Sequence, residues 1–337
     1  MYKGHTICVV VPCYKEETQI ANVIRTMPEF VDKIVIIDDA SPDQTTQVVN
    51  SVAETDPRVV LIVHEVNQGV GGAIATGYKW ARDNEMDTAV VMAGDGQMDP
   101  DDLPNLLNPV IERGVDYSKG NRLIWHGSYK VIPKRRFFGN SILSFLTKIA
   151  SGYWHVADSQ TGYTVANKAV LQSIDWDCMY RRYGQPNDLL ISLNIENFNV
   201  LDVPVRPVYG VGEVSGIKIR RVMFTISNVL VRGFLRRMWN KYIIQDFHPL
   251  VLFWSMSILM MLLAVILFFR VIALWIIEGN APPMSSLAML FAFSTSLQSM
   301  FFAMWFDMSA NQHLRGVAEV VDRRLVSPAV EPRIAER

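Results

Sequence analysis

The densest group of hard oxygen donors in the chain is the run "MAGDGQMDPDD" that opens at Met92. Asp95 and Gln97 stand two residues apart, a spacing that turns both side chains to one side of an extended segment. The pair is expected to hold Mg2+ or Mn2+ against a diphosphate. Asp99, Asp101 and Asp102 read instead as the cap and first turn of a following helix. A second acidic group, Asp38-Asp39, ends an apolar run. Carboxylates there suit hydrogen bonds to a base and a ribose, and Asp39, Ser41 and Asp43 equally suit a helix cap. The glycine-dense "NQGVGGAIATGY" from Asn67 either lets backbone amides approach a nucleotide or makes a tight turn. It has neither the Walker lysine nor dinucleotide spacing, which argues against a kinase or a dehydrogenase. His64, His126 and His155 have no partner in sequence, and no Ser-His or Cys-His pair stands out, so these histidines read as structural.

The elements that must position these groups follow from periodicity. Short apolar runs rich in β-branched residues begin at Thr6, Lys33, Arg58, Thr88 and Asp116, and helical stretches begin near Glu16, Asp43, Gly71 and Asp101. Strands so continuously apolar are covered on both faces, which predicts a mostly parallel sheet in an α/β layer fold. The polar clusters fall at the carboxyl ends of those strands, where such sheets bind ligands. A strand from Thr161, a helix from about Asp188 and a strand from Asn199 complete the globular part. No internal repeat is visible.

Charge is divided along the chain. Up to Val205 there are 18 basic and 25 acidic residues, and from Arg206 onward 14 and 8. A basic final third beside apolar runs points to anionic membrane lipids and not to nucleic acid. The run from Leu250 to Phe269 is 20 residues with only Ser255 and Ser257 polar, enough to cross a ~30 Å hydrocarbon core. A second run extends from about Ser286 to Met308. Its Ser294, Thr295, Ser296, Gln298 and Ser299 form a polar patch suited to helix contact and self-association as a homo-oligomer. The connecting "EGNAPP" carries no Lys or Arg, whereas Lys218, Arg220, Arg221, Arg232, Arg236, Arg237 and Lys241 precede the first span and Arg315, Arg323 and Arg324 follow the second. That bias predicts a two-span protein of the inner (plasma) membrane with its globular domain and C-terminus cytoplasmic. Arg270 is expected near the far interface. The segment "PKRRFFGNSILSFLTKIASGYW" from Pro133 suits a helix lying at a membrane surface. Cys8, Cys13 and Cys178 have no metal or disulfide spacing and read as reduced thiols. The apolar stretch near the N-terminus is too short, and stopped too early by Pro12, for a signal peptide. The expected organisation is a catalytic unit over 1–217, juxtamembrane helix over 218–247, transmembrane hairpin over 248–309 and a tail over 310–337.

Taken in order, "VVVPCYKEE", "IIDDASPDQT", "NQGVGGAIATGY" and "GDGQMDP" resemble family 2 glycosyltransferases, and the trailing spans resemble the branch that makes polyprenyl-phosphate and dolichyl-phosphate sugars. The resemblance covers about Thr6 to Lys218. It implies a GT-A fold, a nucleotide-sugar donor and inverting transfer. The donor side would comprise Pro12, Tyr14, Glu16, Asp38, Asp39 and Gly69, with Asp95 and Gln97 on the metal. One departure stands out: Ala93 occupies the place of the branch's usual first metal aspartate, so binding leans on Asp95, Gln97 and the nucleotide phosphates. Arg122 matches a strand-end arginine near the acceptor and, with Arg135 and Arg136, is expected to bind a lipid phosphate. Arg135 and Arg136 also suit a plain membrane patch. "ADSQTGY" resembles the acidic acceptor loop and "QPNDLL" the place of the acidic base, making Asp158 and Asp188 catalytic candidates or, alternatively, helix caps. Asn187 replaces the usual preceding acid. "VYGVGEVSGIK" resembles a mobile loop with Ser215 and Lys218 on the diphosphate, and Arg206 is a looser match. The implied acceptor is a polyprenyl (undecaprenyl or dolichyl) phosphate. The alternatives are a diacylglycerol or lipid-linked glycan acceptor, or an inactive membrane scaffold.

Overall fold

The apolar runs become seven strands, β1 (Ile7–Cys13), β2 (Lys33–Asp38), β3 (Val59–Val63), β4 (Thr88–Val91), β5 (Tyr117–Asn121), β6 (Thr164–Asn167) and β7 (Val200–Pro204). The computed structural model describes residues 1–125, 134–208 and 219–316. The sheet order is β3-β2-β1-β4-β6-β5-β7. All neighbours run parallel except β6, which lies antiparallel between β4 and β5. Alternate residues of β1 and β2 feed two cores. Cys8, Val10, Val35 and Ile37 face one side, Ile7, Val9, Ile34 and Ile36 the other. This two-sided burial is why the strands read as unbroken apolar runs.

Helices α1 (Ile20–Arg25), α2 (Thr45–Ala53) and α4 (Leu103–Glu112) cover one face; α3 (Val70–Asp83), α6 (Lys168–Ser173) and α7 (Gln185–Ile195) cover the other. Helices α1, α2 and α4 start later than periodicity suggested, because the residues after each strand are held in turns. The Glu16 amide donates to Thr45 Oγ1 at 3.0 Å and the Lys15 amide to Ser41 Oγ at 3.0 Å. Asp99 does cap the turn Pro100–Asp102 ahead of α4, accepting from the Asp101 amide.

Helices α5 (Lys134–Ser151) and α8 (Ile219–Trp239) pack with α7 through Ala150, Ile191, Ile195, Ile226 and Leu230. Ile142, Phe145 and Leu146 of α5 and Val231, Leu235 and Trp239 of α8 stay exposed, the apolar face a lipid surface would take. Beyond lie α9 (Leu250–Glu278) and α10 (Pro283–Ala310), with 18-residue stretches of mean hydropathy 2.7 and 1.5. Both are long enough to cross a membrane. Helix α9 runs past Arg270 to Glu278, where Gly279 closes it in a left-handed conformation, so it outlasts the stretch that apolarity alone marked.

The two spans pack through small residues. Ser257, Ala264 and Val271, seven apart, are the buried positions of α9 beyond Leu250, which packs with Met238 and Tyr242; Ala292, Ser296, Ser299 and Ala303 are buried on α10, and the Ser296 hydroxyl donates to the Ser257 carbonyl at 2.8 Å. The polar patch expected to drive self-association is therefore divided. Ser296 and Ser299 face the chain's own first span, while Ser294 and Gln298 face outward. The hairpin is fastened to the globular part by Arg237 of α8, wholly buried, whose guanidinium forks onto Asp307 of α10 at 2.7 and 3.1 Å. Tyr242 and Trp154 donate to the same carboxylate. After α10 the chain returns to the domain: Leu314 joins the main core and the Gly316 amide donates to the Val200 carbonyl. Residues 311–316 thus belong with the globular unit, unlike the separate tail expected from residue 310.

Candidate active site

The carboxyl ends of β1, β2 and β4 come together as one rim, since these strands are neighbours. The Asp39 amide donates to the Cys13 carbonyl and the Gly94 amide to the Pro12 carbonyl, tying the three turns to each other. Tyr14 is exposed on this rim and Pro12 is buried beneath it. Glu16 is half-buried there. Burial, with the Asp95 and Asp43 carboxylates adding repulsion, pushes its carboxyl up to about 7. A cation at this rim would offset the repulsion that adds to burial there.

Two residues at the end of β2 do something other than expected. Asp38 is fully buried and accepts from the Ser41 amide at 2.9 Å and from the Thr46 hydroxyl, which holds the turn into α2. As placed, it presents no oxygen to a nucleoside. Asp39, also buried, accepts from the Gln68 amide at 2.8 Å, the Gly69 amide at 2.7 Å and His64 Nδ1 at 2.7 Å. It organises the glycine turn and neither caps α2 nor faces a ribose. His64 Nε2 lies 3.0 Å from the Thr76 hydroxyl, a structural role as expected.

Gly69, expected on the donor side, is likewise engaged within the protein. Its amide is occupied by Asp39, and a side chain on it would lie 2.5 Å from the Arg181 carbonyl. One on Gly71 would lie 2.3 Å from the Tyr180 carbonyl. These glycines let the 180–185 segment close against the turn.

Asp95 and Gln97 do not sit on an extended strand. They flank Gly96 (φ +72°) in a turn, where the Gln97 amide donates to Asp95 Oδ1 at 3.0 Å. Among the described residues no group of three His, Cys, Asp or Glu side chains is poised for a metal ion. One carboxylate and one carboxamide fit a hard divalent cation only as part of a shell that substrate phosphates and water complete.

A second constellation lies where β5, β7 and the 157–162 loop meet. Arg122 grips Asp158 through Nε at 2.8 Å and Nη2 at 3.2 Å, and its own amide reaches the same carboxylate at 3.3 Å. Burial would raise the Asp158 carboxyl, but Arg122 outweighs it and holds the group below the usual carboxylate range. Asp158 has no solvent exposure and no helix follows it, so it is neither a free base nor a cap. It sets the guanidinium, whose side chain keeps 25% of its surface open.

Behind this pair stand buried polar groups that no sequence motif marks. Lys119 is buried in β5 and donates to the Thr161 carbonyl. Asp202 of β7 accepts from Asn121 Nδ2 at 2.5 Å and from the Ala157 amide at 2.6 Å. Burial pushes the Asp202 carboxyl up and the Lys119 ammonium down. A lysine and an asparagine alternating inward along a buried strand were the available signal.

Asp188 sits in the first turn of α7, which starts at Gln185. It accepts from the Tyr180 amide at 2.9 Å and from Arg236 Nη2 of α8 at 2.9 Å. Its two oxygens form a latch between the 180–185 segment and the juxtamembrane helix. Asn187 accepts from the Thr147 hydroxyl and from Gln160 Nε2 beside Asp158. Arg206 meets Asp102 and Asp99 near α4. His155 donates to the Val200 carbonyl and is structural. Ser215, Lys218 and His126, together with the side chains of Arg135 and Arg136, lie outside the described residues.

Residues 8–175 match the glycosyl transferase family 2 model. Over 246 residues the chain is 32% identical to the UDP-N-acetylglucosamine–dolichyl-phosphate N-acetylglucosaminyltransferase of Methanococcus voltae, covering 66% of this chain and 98% of that protein. It is 28% identical over 236 residues to the polyprenol monophosphomannose synthase of Mycolicibacterium smegmatis, covering 68% and 88%. Among solved structures it resembles glucosyl-3-phosphoglycerate synthase from Mycobacterium tuberculosis in complex with Mn2+ and UDP, at TM-score 0.51 and 19% identity over 69% of this chain and 80% of that one, a likeness of GT-A fold. Motif order, the sheet with its acidic rim and these relatives agree that the chain is a glycosyltransferase and belongs to glycosyl transferase family 2.

Proposed function

We propose that this enzyme moves a hexose from a nucleotide-sugar to a polyprenyl phosphate, with inversion, at the cytoplasmic face of the inner (plasma) membrane. One observation carries the reading: a partly exposed arginine, set by a buried aspartate, stands in a GT-A domain that is fastened to a two-span hairpin. The relatives named for dolichyl-phosphate and polyprenol substrates support it.

In this reading the donor lies along the rim of β1, β2 and β4, over Tyr14 and Glu16, with Ser215 and Lys218 closing on its diphosphate. Asp95 and Gln97 would hold Mg2+ or Mn2+, which when bound neutralises charge on the departing diphosphate. A phosphate oxygen of the lipid attacks the anomeric carbon on the face opposite the leaving group. The new C–O bond forms as the bond to the diphosphate breaks, and the nucleoside diphosphate leaves with the electron pair. An ionised phosphate is already a nucleophile, so no general base is required. Arg122, set by Asp158 and a quarter exposed, orients that phosphate, and Arg135 and Arg136 add positive charge on α5.

Purified protein given a panel of nucleotide sugars with polyprenyl phosphate or diacylglycerol, its lipid products read by mass spectrometry, tests this. A hexosyl-phosphoprenol product is expected. A glycosylated diacylglycerol would move the acceptor assignment, and absence of any product would favour the scaffold. Asp95→Ala is expected to abolish transfer and Mn2+ binding followed by electron paramagnetic resonance, without changing the unfolding midpoint. Normal Mn2+ binding would remove Asp95 from the metal site.

A further inference from the structure

Helix α10 shows two faces of different character. Ala292, Ser296, Ser299 and Ala303 are buried against α9. Gln298 follows Ser296 by two residues, about 200° around the helix at ~100° per residue, and so points directly away from the hairpin contact. It is exposed, as are Leu287, Phe291, Ser294, Phe301, Trp305 and Met308. These seven positions alternate in steps of four and three along the whole span, a complete seam with Ser294 and Gln298 at its centre.

That placement is costly in a bilayer. Among the described residues neither the Gln298 carboxamide nor the Ser294 hydroxyl has a hydrogen-bond partner. Hydrocarbon supplies none, and Gln298 stands mid-helix, level with Ser255–Ser257 and inside the apolar stretch of both spans. The outward serine of α9, Ser255, escapes the difficulty by donating to its own Val251 carbonyl.

We infer that the outward seam of α10 is a self-association surface, on which Gln298 of one copy pairs with Gln298 of a second copy of this chain. Chemistry and topology select a second copy. A carboxamide carries both donor and acceptor, so two of them satisfy each other reciprocally across a two-fold axis. Copies inserted with one orientation run their α10 helices parallel and bring residue 298 of each to the same depth, a match that a different protein would have to reproduce. A single polar position in an apolar seam also fixes register. The outer faces of α9 are apolar around mid-span and have no such requirement.

The inference rests on the membrane-spanning reading of the hairpin. Full-length protein with Cys178→Ser, leaving only the buried Cys8 and Cys13, is reconstituted in liposomes and floated on a density gradient. In that background Gln298→Cys is expected to form disulfide-linked dimers under mild oxidation, and Met256→Cys, exposed on α9 and level with Gln298 in the register that pairs Ser257 with Ser296, is not. Gln298→Leu, with the residue-298 contact removed, is expected to need about five- to thirtyfold more protein per lipid for half-association by energy transfer between labelled copies, the equivalent of ~1–2 kcal/mol. Gln298→Asn should restore part of it. Protein that does not float overturns the membrane reading and this inference together. Floating protein that stays monomeric, that cross-links equally through residue 256, or that associates unchanged with leucine at 298 overturns the inference alone.

Discussion

Two arginine–aspartate forks, built alike, sit in very different surroundings. Arg237 and Asp307 are 0% and 1% exposed, and every arm of the guanidinium is occupied: Nε by the Ala150 carbonyl, Nη1 by Asp307 and Tyr242, Nη2 by the Ile149 carbonyl and Asp307. Arg122 grips an equally buried aspartate but keeps 25% of its side chain open. The first is a joint between the catalytic domain and the membrane hairpin, the second a cation aimed by its partner. What separates the two here is the surface left open to solvent, 25% against none, and not the ion pair itself.

Lysine at each position is the sharpest way to break this comparison. Lysine keeps the charge but not the fork. Arg237→Lys strands buried carbonyls and part of the Asp307 shell, and the unfolding midpoint in detergent is expected to fall by the equivalent of about 3–5 kcal/mol. Arg122→Lys is expected to leave that midpoint nearly unchanged while raising KM for polyprenyl phosphate roughly tenfold or more, with KM for the nucleotide-sugar little altered. If Arg237→Lys instead kept its stability and lost acceptor affinity, the two roles would have to be exchanged.

The smallest effect concerns pH. His155, donating to Val200 on the strand that also carries Asp202, is a neutral counterpart to both forks. Burial, with Arg315 and Lys148 nearby, lowers its pKa from 6.5 to about 4. Below about pH 6.5 the unfolded chain takes a proton that the folded chain refuses, so stability falls as pH drops from about 6.5 towards 4. His155→Gln keeps a donor to Val200 and is expected to flatten that part of the midpoint–pH curve. An unchanged slope would place the acid sensitivity elsewhere.

The fold was largely legible in the sequence. The runs in β1, β2 and β4 are continuous because both faces are buried, and their length separates them from helices. Burial also explains what was missed. Asp38 and Asp39 look like ligand carboxylates because they end a strand, yet the hydroxyl of Thr46 and the amides of Gln68 and Gly69 claim them. Nothing in "DDASPD" tells which oxygen acceptor the later loop will use. Asp188 resembled a base for lack of its partner Arg236, which arrives from another helix. Lys119, Asn121 and Asp202 were passed over because each is ordinary alone and becomes a network only when β5 lies beside β7.

Local chemistry in the sequence was sufficient to determine the strand and helix pattern, the acidic strand ends, the two apolar spans and the sign of charge around them. These depend on residues within a turn or two of each other, where periodicity and composition act directly. Which carboxylate is consumed by which partner, and whether an arginine is closed in or left open to solvent, was decided only by the tertiary structure. A charged group's function depends on the partners and the water left to it, and both are set by segments distant in the chain.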